Sequence, residues 1–207
     1  MFDPQTFVEK ANDIVEAGRF LDAMGWVPAT SGNFSARLDA NHAALTASGC
    51  HKGRLTPQQI LAVDMAGRAL DPAAKPSAET LLHTTLYKCF PEAQAVLHTH
   101  SVKGTVLSKL IPANTDLTLA NYEMLKALRG ISTHETSLEI HVFANTQDMA
   151  ALAEDLLQLI RKRERVPGFL IQGHGLYTWG TSMAEAQRHV EAFEFLFDCE
   201  LLIRRIA

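Results

Sequence analysis

Apolar residues recur at helical spacing near the start of the chain, at Phe7, Ala11, Ile14, Ala17, Leu21 and Met24. That period predicts a first helix ending near Gly25. The pattern then shortens. "TSGNFSARL" and "HAALTASG" read as short strands with small-residue turns at their ends. "SAETLLHTTLYKCF" returns to a helical pattern, with Ser77 as the expected N-cap. "QAVLHTH" is a strand, and "SVKGTVLSKLI" is a short helix beginning at Ser101. "DLTLANYE" and "LEIHVFA" are strands, with "EMLKALRG" helical between them. "NTQDMAALAEDLLQLIRKRE" is a helix, acidic early and basic late, as its macrodipole favours. "GFLIQGHGLYTWG" is two strands about a Gly-His-Gly turn. The last helix starts near "TSMAEA", with Val190, Phe193, Phe197 and Leu201 on one stripe. Leu196 and Ile203 widen that stripe, so the core or another subunit should bury it. Helices flanking many short strands predict a three-layer α/β/α domain. With no repeat or linker in sight, residues 1–207 are expected to form a single domain.

Composition narrows the classes. The chain has 207 residues, enough for one sizeable core. Its net charge of -4 argues against general nucleic-acid binding. Three widely spaced cysteines, with no CxxC, argue against a disulfide framework and favour a reducing cytoplasm. The N-terminal segment carries acids throughout and lacks the apolar core of a signal peptide. No apolar run approaches membrane-spanning length. A cytoplasmic protein without membrane or nucleic-acid partners is expected.

The histidines carry the candidate chemistry. On a strand, residues i and i+2 share a face, so His98 and His100 in "AVLHTHS" should point the same way. His174, at the turn in "QGHGLY", is a third candidate. Three neutral imidazoles with an open fourth position would make a catalytic, zinc-type site. The same spacing also suits two buried, hydrogen-bonded structural histidines and an unrelated turn histidine. An open divalent metal beside a carboxylate suits proton abstraction next to a carbonyl. Glu79 in "KPSAET" and Glu123 in "NYEMLKAL" are the two candidate carboxylates, although either also suits a helix start. "ATSGNFSAR" and "TASGCHKG" place Ser31-Gly32 and Ser48-Gly49 at strand ends, where backbone N–H groups can form an anion nest. Asn33 adds an amide, Lys52 a charge, and Ser77 in "KPSAE" a third small-residue site. Neither segment is a Walker A loop or a dinucleotide fingerprint. A phosphorylated carbonyl compound is a coherent substrate, one end in the nest and the other at the metal.

In the order "SGNFS", "TASG", "PSAE", "HTH", "GHG", nearly the whole chain resembles the class II aldolase family, which includes L-fuculose-phosphate and L-ribulose-5-phosphate enzymes. "HKGRLTPQQILAVD", "PSAETLLHTTLY", "NYEMLKAL" and "GHGLYTWG" look like a dehydratase branch of that family. The resemblance implies a three-layer α/β/α fold around a mostly antiparallel sheet. It implies one Zn²⁺ per subunit on His98, His100 and His174. It places a sugar phosphate near Ser31, Gly32, Asn33, Ser48, Gly49 and Ser77. It implies a homotetramer with active sites at subunit interfaces. The aldolase branch uses a carboxylate that Glu79 matches, and the dehydratase branch one that Glu123 matches. The expectation is that Glu123 moves the proton and Glu79 is accessory. The expected reaction is loss of water from a ketose phosphate. Retro-aldol cleavage is the alternative, and a non-catalytic scaffold on the same fold is a remote one.

Overall fold

The structure is a computed structural model and describes residues 2–206. Helix α1 covers Pro4–Ala23; Asp3 caps it by accepting from the Gln5 and Thr6 N–H groups, and Pro4 occupies the first turn. Gly25 follows with φ of +75°, a conformation that glycine adopts without strain. Strands β1 (Asn33–Arg37) and β2 (His42–Thr46) form the predicted antiparallel pair. Strand β3, Ile60–Asp64, extends this ladder. The sequence reading did not anticipate it, because its five residues lack a clean alternation. Helix α2 is Thr80–Cys89, β4 is Ala95–Thr99, and α3 is Val102–Leu110 with Ser101 as its N-cap. Strands β5 (Thr115–Ala120) and β6 (Ser137–Phe143) flank a 3₁₀ turn at Glu123–Ala127, where a longer helical segment was expected. Helix α4 is Met149–Lys162, β7 is Gly168–Ile171, β8 is Gly175–Gly180, and α5 is Met183–Ile206.

The eight strands form one sheet in the order β3-β2-β1-β4-β8-β7-β6-β5. Only the β6–β7 pair is parallel. The α/β architecture with a mostly antiparallel sheet is as expected. Alternation of side chains along each strand supplies two apolar faces. Val96, Phe169, Tyr177 and Trp179 pack with Leu82 and Leu86 of α2 and Leu152 and Leu156 of α4. On the opposite face, Phe34, Ala36, Ala95 and Leu97 pack with Ile14 and Leu21 of α1 and Val190 of α5. Leu170 and Leu176 meet Leu107 of α3 and Phe193, Leu196 and Phe197 of α5. The predicted stripe on the last helix therefore divides. Val190, Phe193, Leu196 and Phe197 are buried in the core, whereas Ile203 is half exposed.

Helix α2 begins two residues later than expected. Glu79, not Ser77, occupies its cap position, and Ser77 instead accepts from the Glu79 N–H at 3.3 Å. At that position the Glu79 side chain faces His98 and His174.

Candidate active site

β4 lies at the centre of the site. His98 pairs with Asn33 on one side and with Tyr177 on the other. His100 lies just past the strand, where its N–H donates to the Trp26 carbonyl oxygen at 2.8 Å. The i, i+2 relation survives the end of the strand, and His98 Nε2 and His100 Nε2 lie 2.7 Å apart. His174 comes from the β7–β8 turn. That turn is pinned by α3: Thr105 Oγ1 donates to the His174 carbonyl oxygen at 3.0 Å, and Ser108 Oγ accepts from the Gly173 N–H at 2.9 Å. A Cβ on Gly175 would fall on the Thr99 carbonyl oxygen, so only glycine lets the turn come this close to β4. His174 Nε2 thereby reaches 3.3 Å from His98 Nε2.

The three rings present one nitrogen each to a common point, all within 4.8 Å of one another. His98 Nδ1 faces the Leu176 carbonyl oxygen at 2.9 Å. A carbonyl can only accept, so Nδ1 carries the proton and Nε2 is free as a ligand. Burial, reinforced by the neighbouring rings, holds His98 well below its ordinary value and brings His100 down to about 4. Neutral imidazoles are the form that binds metal. His174 Nδ1 is buried without a hydrogen-bond partner. Three convergent imidazole nitrogens with an open side suit zinc or another borderline-soft divalent ion.

The Glu79 carboxylate faces that open side. Oε1 lies 3.1 Å from His174 Nε2, and Oε2 lies 3.3 Å from His98 Nε2. Asn33 Nδ2 donates to Oε2 at 2.7 Å, and Tyr177 donates to it at 2.6 Å. Burial opposes the charge, yet His174, His98, Tyr177 and Asn33 together hold the Glu79 carboxyl well below the usual carboxylate range. Burial and the Glu79 charge push Tyr177 well above its ordinary value, so its proton stays on as a donor.

Beside the histidines lies a cavity of about 320 Å³ lined by Ser31, Gly32, Asn33, Ser48, Gly49, Lys52, Ser77, Glu79 and His100. All seven residues expected around a phosphate therefore meet in one place, next to the histidine cluster. Gly32 has φ of +74°, and a Cβ there would sit 2.6 Å from the His98 carbonyl oxygen. Lys52 Nζ donates to the carbonyl oxygens of Thr30 at 2.8 Å and Cys50 at 2.7 Å, tying the two loops together. Its burial lowers the ammonium's pKa.

Glu123 is placed differently. Its side chain is 67% exposed, contacts Lys126, and lies 3.1 Å from His134 Nδ1. Within one subunit it is not among the residues around the histidines or the cavity. A wider surface groove of about 540 Å³ between β6 and α4 holds none of the expected residues. Sequence reasoning missed His83. It is fully buried behind Asn33.

Fold and site define a three-layer protein with a histidine cluster and an anion-type cavity side by side. Residues 12–201 match the family described as Class II Aldolase and Adducin N-terminal domain. A relative from Marinobacter nauticus named methylthioribulose-1-phosphate dehydratase is 54% identical over 206 residues, spanning 100% of this chain and 99% of its own. One of that name from Pseudomonas aeruginosa is 55% identical over 190 residues, 92% of each chain. Among solved structures, an L-fuculose-1-phosphate aldolase from Thermus thermophilus superposes with a TM-score of 0.74 at 25% identity, covering 93% of this chain and 94% of its own. The chain belongs to the class II aldolase family.

Proposed function

We propose that this chain is a zinc-dependent hydro-lyase that dehydrates 5-methylthioribulose 1-phosphate to 2,3-diketo-5-methylthiopentyl 1-phosphate, a step of methionine salvage. The observation that carries the reading is the adjacency of the histidine cluster and the anion-type cavity, with Glu79 between them. The names of relatives at 52–55% identity agree with it.

His98, His100 and His174 would hold the ion. When bound, zinc supplies a Lewis acid that makes the carbon-bound proton beside a carbonyl easier to remove. The remaining roles belong to the chain. The N–H groups and hydroxyls of the Ser31–Asn33 and Ser48–Gly49 loops, with Ser77, hold the phosphate. Lys52 keeps those two loops in register and adds positive potential. Glu123 takes the proton from C3 of the substrate, the electron pair left behind expels the C4 hydroxyl, and the same proton passes from Glu123 to the departing oxygen so that water leaves. The resulting enol then tautomerises to the diketone. Glu79, kept ionised and aimed by Tyr177 and Asn33, assists at the oxygen side.

For Glu123 to act, a neighbouring subunit must supply it, because its own subunit leaves it at the surface. A homotetramer with sites between subunits meets that requirement. The apolar residues left exposed on α3 and α5 give such an assembly its surface: Val102, Val106, Leu110, Phe195, Leu202 and Ile206 are all 44–84% exposed. No helix among the described residues is long and apolar enough to cross a membrane. Free Cys50, Cys89 and Cys199 suit a cytoplasmic location.

The test is to give methylthioribulose 1-phosphate to zinc-loaded protein and weigh the products. A single phosphorylated product lighter by one water supports dehydration. Dihydroxyacetone phosphate or glycolaldehyde phosphate would show retro-aldol cleavage instead, and unchanged substrate would overturn both.

A further inference from the structure

Glu79, His83 and Tyr87 recur every four residues from the cap of α2 along one helical face, while Asn33 and Ser35 recur every two along β1. Four helical residues rise about 6 Å, and two strand residues rise about 6.6 Å. The two stripes therefore stay in step, and their side chains interleave in a zigzag. Tyr87 Oη lies 2.8 Å from Ser35 Oγ, and Ser35 Oγ lies 2.7 Å from His83 Nδ1. His83 Nε2 meets Asn33 Oδ1, and Asn33 Nδ2 meets Glu79 Oε2 at 2.7 Å. Ser35 and His83 are fully buried and Tyr87 is 1% exposed, so bulk water cannot substitute for these partners.

One end of this chain of bonds fixes the direction of all of it. Asn33 turns its NH₂ toward Glu79 Oε2, so its Oδ1, which can only accept, faces His83. His83 must then carry its proton on Nε2. Burial brings its ring down to about 4, which leaves Nδ1 as an acceptor at neutral pH. Ser35 donates to Nδ1, and Tyr87 donates to Ser35. The reverse orientation would set the Asn33 carbonyl oxygen against a carboxylate.

We propose that His83 is a positioning residue, which locks the Asn33 amide through Nε2–H and thereby aims the Glu79 carboxylate. Nothing in this requires His83 to touch metal or substrate. The turnover arm of the test rests on the dehydratase reading above, and the structural arm does not.

The structural arm is neutron diffraction from deuterium-exchanged crystals of the zinc-loaded protein. Deuterium on His83 Nε2 and none on Nδ1 is expected, with the Asn33 ND₂ facing Glu79. Deuterium on Nδ1, or a flipped Asn33 amide, would overturn the proposal whatever the activity. The turnover arm compares His83→Leu with His83→Gln, whose amide can donate from near the position of Nε2. His83→Leu should keep its zinc and lose about tenfold in kcat, the worth of one hydrogen bond. His83→Gln should recover most of that loss. A His83→Leu protein with full kcat, or a His83→Gln protein no better than it, would overturn the proposal by reducing His83 to packing. If the wild-type protein fails to dehydrate the substrate, the function reading falls, while the neutron result still decides the role of His83.

Discussion

Two glutamates that look alike in sequence stand in opposite surroundings. Glu79 follows a Pro-Ser-Ala turn and is only 14% exposed, held by Asn33 and Tyr177 at the mouth of the histidine cluster. Glu123 follows a strand and is 67% exposed, beside Lys126 and 3.1 Å from His134 Nδ1. Both stay ionised at neutral pH, but for different reasons. At Glu79 fixed donors outweigh burial, whereas at Glu123 a side-chain contact with Lys126 suffices. A carboxylate held by several fixed donors can aim or bind but is a weak base. A mobile, solvated one can collect a proton once a substrate is brought to it. The region around Glu79 is thus preassembled within one chain, and on the function proposed above it is the half-site that Glu123 of a second subunit would complete.

The largest effect should come from breaking the half-site itself. His174→Ala removes one of three nitrogens while its turn stays pinned through the main chain, so bound zinc should fall from near one equivalent toward none, with activity lost in parallel. Metal analysis after gel filtration checks this. A His174→Ala protein with full zinc would take His174 out of the ligand set.

Next comes the division of labour between the glutamates. Glu123→Gln should keep its zinc and lose turnover by roughly 10²–10⁴, the worth of a positioned general base. Exchange of the substrate C3 hydrogen with D₂O should stop with it. Glu79→Gln should slow that exchange less and weaken zinc retention more. If Glu123 acts across an interface, mixing and reassembling inactive Glu123→Gln and His98→Ala subunits should restore part of the activity, because some sites then combine an intact triad with an intact Glu123. Absence of any restoration after verified subunit exchange would return the base to its own chain, and Glu79 would take the role.

Sequence periodicity made most of this fold readable, and the reasons show where it stopped. His98 and His100 were legible as a pair because a two-residue step on a strand guarantees a shared face. His174 was legible because Gly-His-Gly leaves a side chain little to do but project from a turn. The nest was legible from its Ser-Gly steps, since a positive φ with nearby N–H groups needs small residues. Strand β3 was not, because "ILAVD" is a short apolar run that a pattern cannot distinguish from a loop anchor. The exposure of Glu123 and the burial of His83 were not legible either. Both depend on which element covers which, and the partners of His83, Asn33 and Ser35, lie far upstream in β1. Ser77 reads as a helix cap because its residue type prefers that role, whereas the chain uses it to support the Glu79 backbone.

Backbone fit sharpens the contrast between the half-site and its looser margin. Gly32 and Gly49 both have positive φ, of +74° and +76°, but only Gly32 meets backbone where a Cβ would be. Gly32→Ala should therefore cost about 3 kcal/mol, combining left-handed strain with a forced shift of β4. Gly49→Ala should cost only about 1 kcal/mol, from the strain alone. Urea midpoints give both values. Equal losses would mean that the close approach to His98 contributes nothing to stability.

A third carboxylate shows what burial does where donors are too weak to offset it. Glu194, on α5, is 2% exposed, and neither of its carboxylate oxygens has a hydrogen-bond partner. Burial pushes its carboxyl up to about 7 from an ordinary 4.5, against the smaller pulls of Ser101 and Lys103. The sign of the effect follows. Between those two values the unfolded chain has released the proton and the folded chain still holds it. Stability therefore falls as pH rises from about 4.5 to about 7. Over that span the loss reaches at most about 3 kcal/mol, at about 1.36 kcal/mol per unit. Glu194→Gln cannot ionise, so it should match wild type near pH 4.5 and gain stability progressively toward pH 7. Urea unfolding across that range reads the difference directly. A constant offset at every pH would mean that Glu194 ionises freely in the fold. In that case donors as well as burial would have to be found around it, as they are around Glu79.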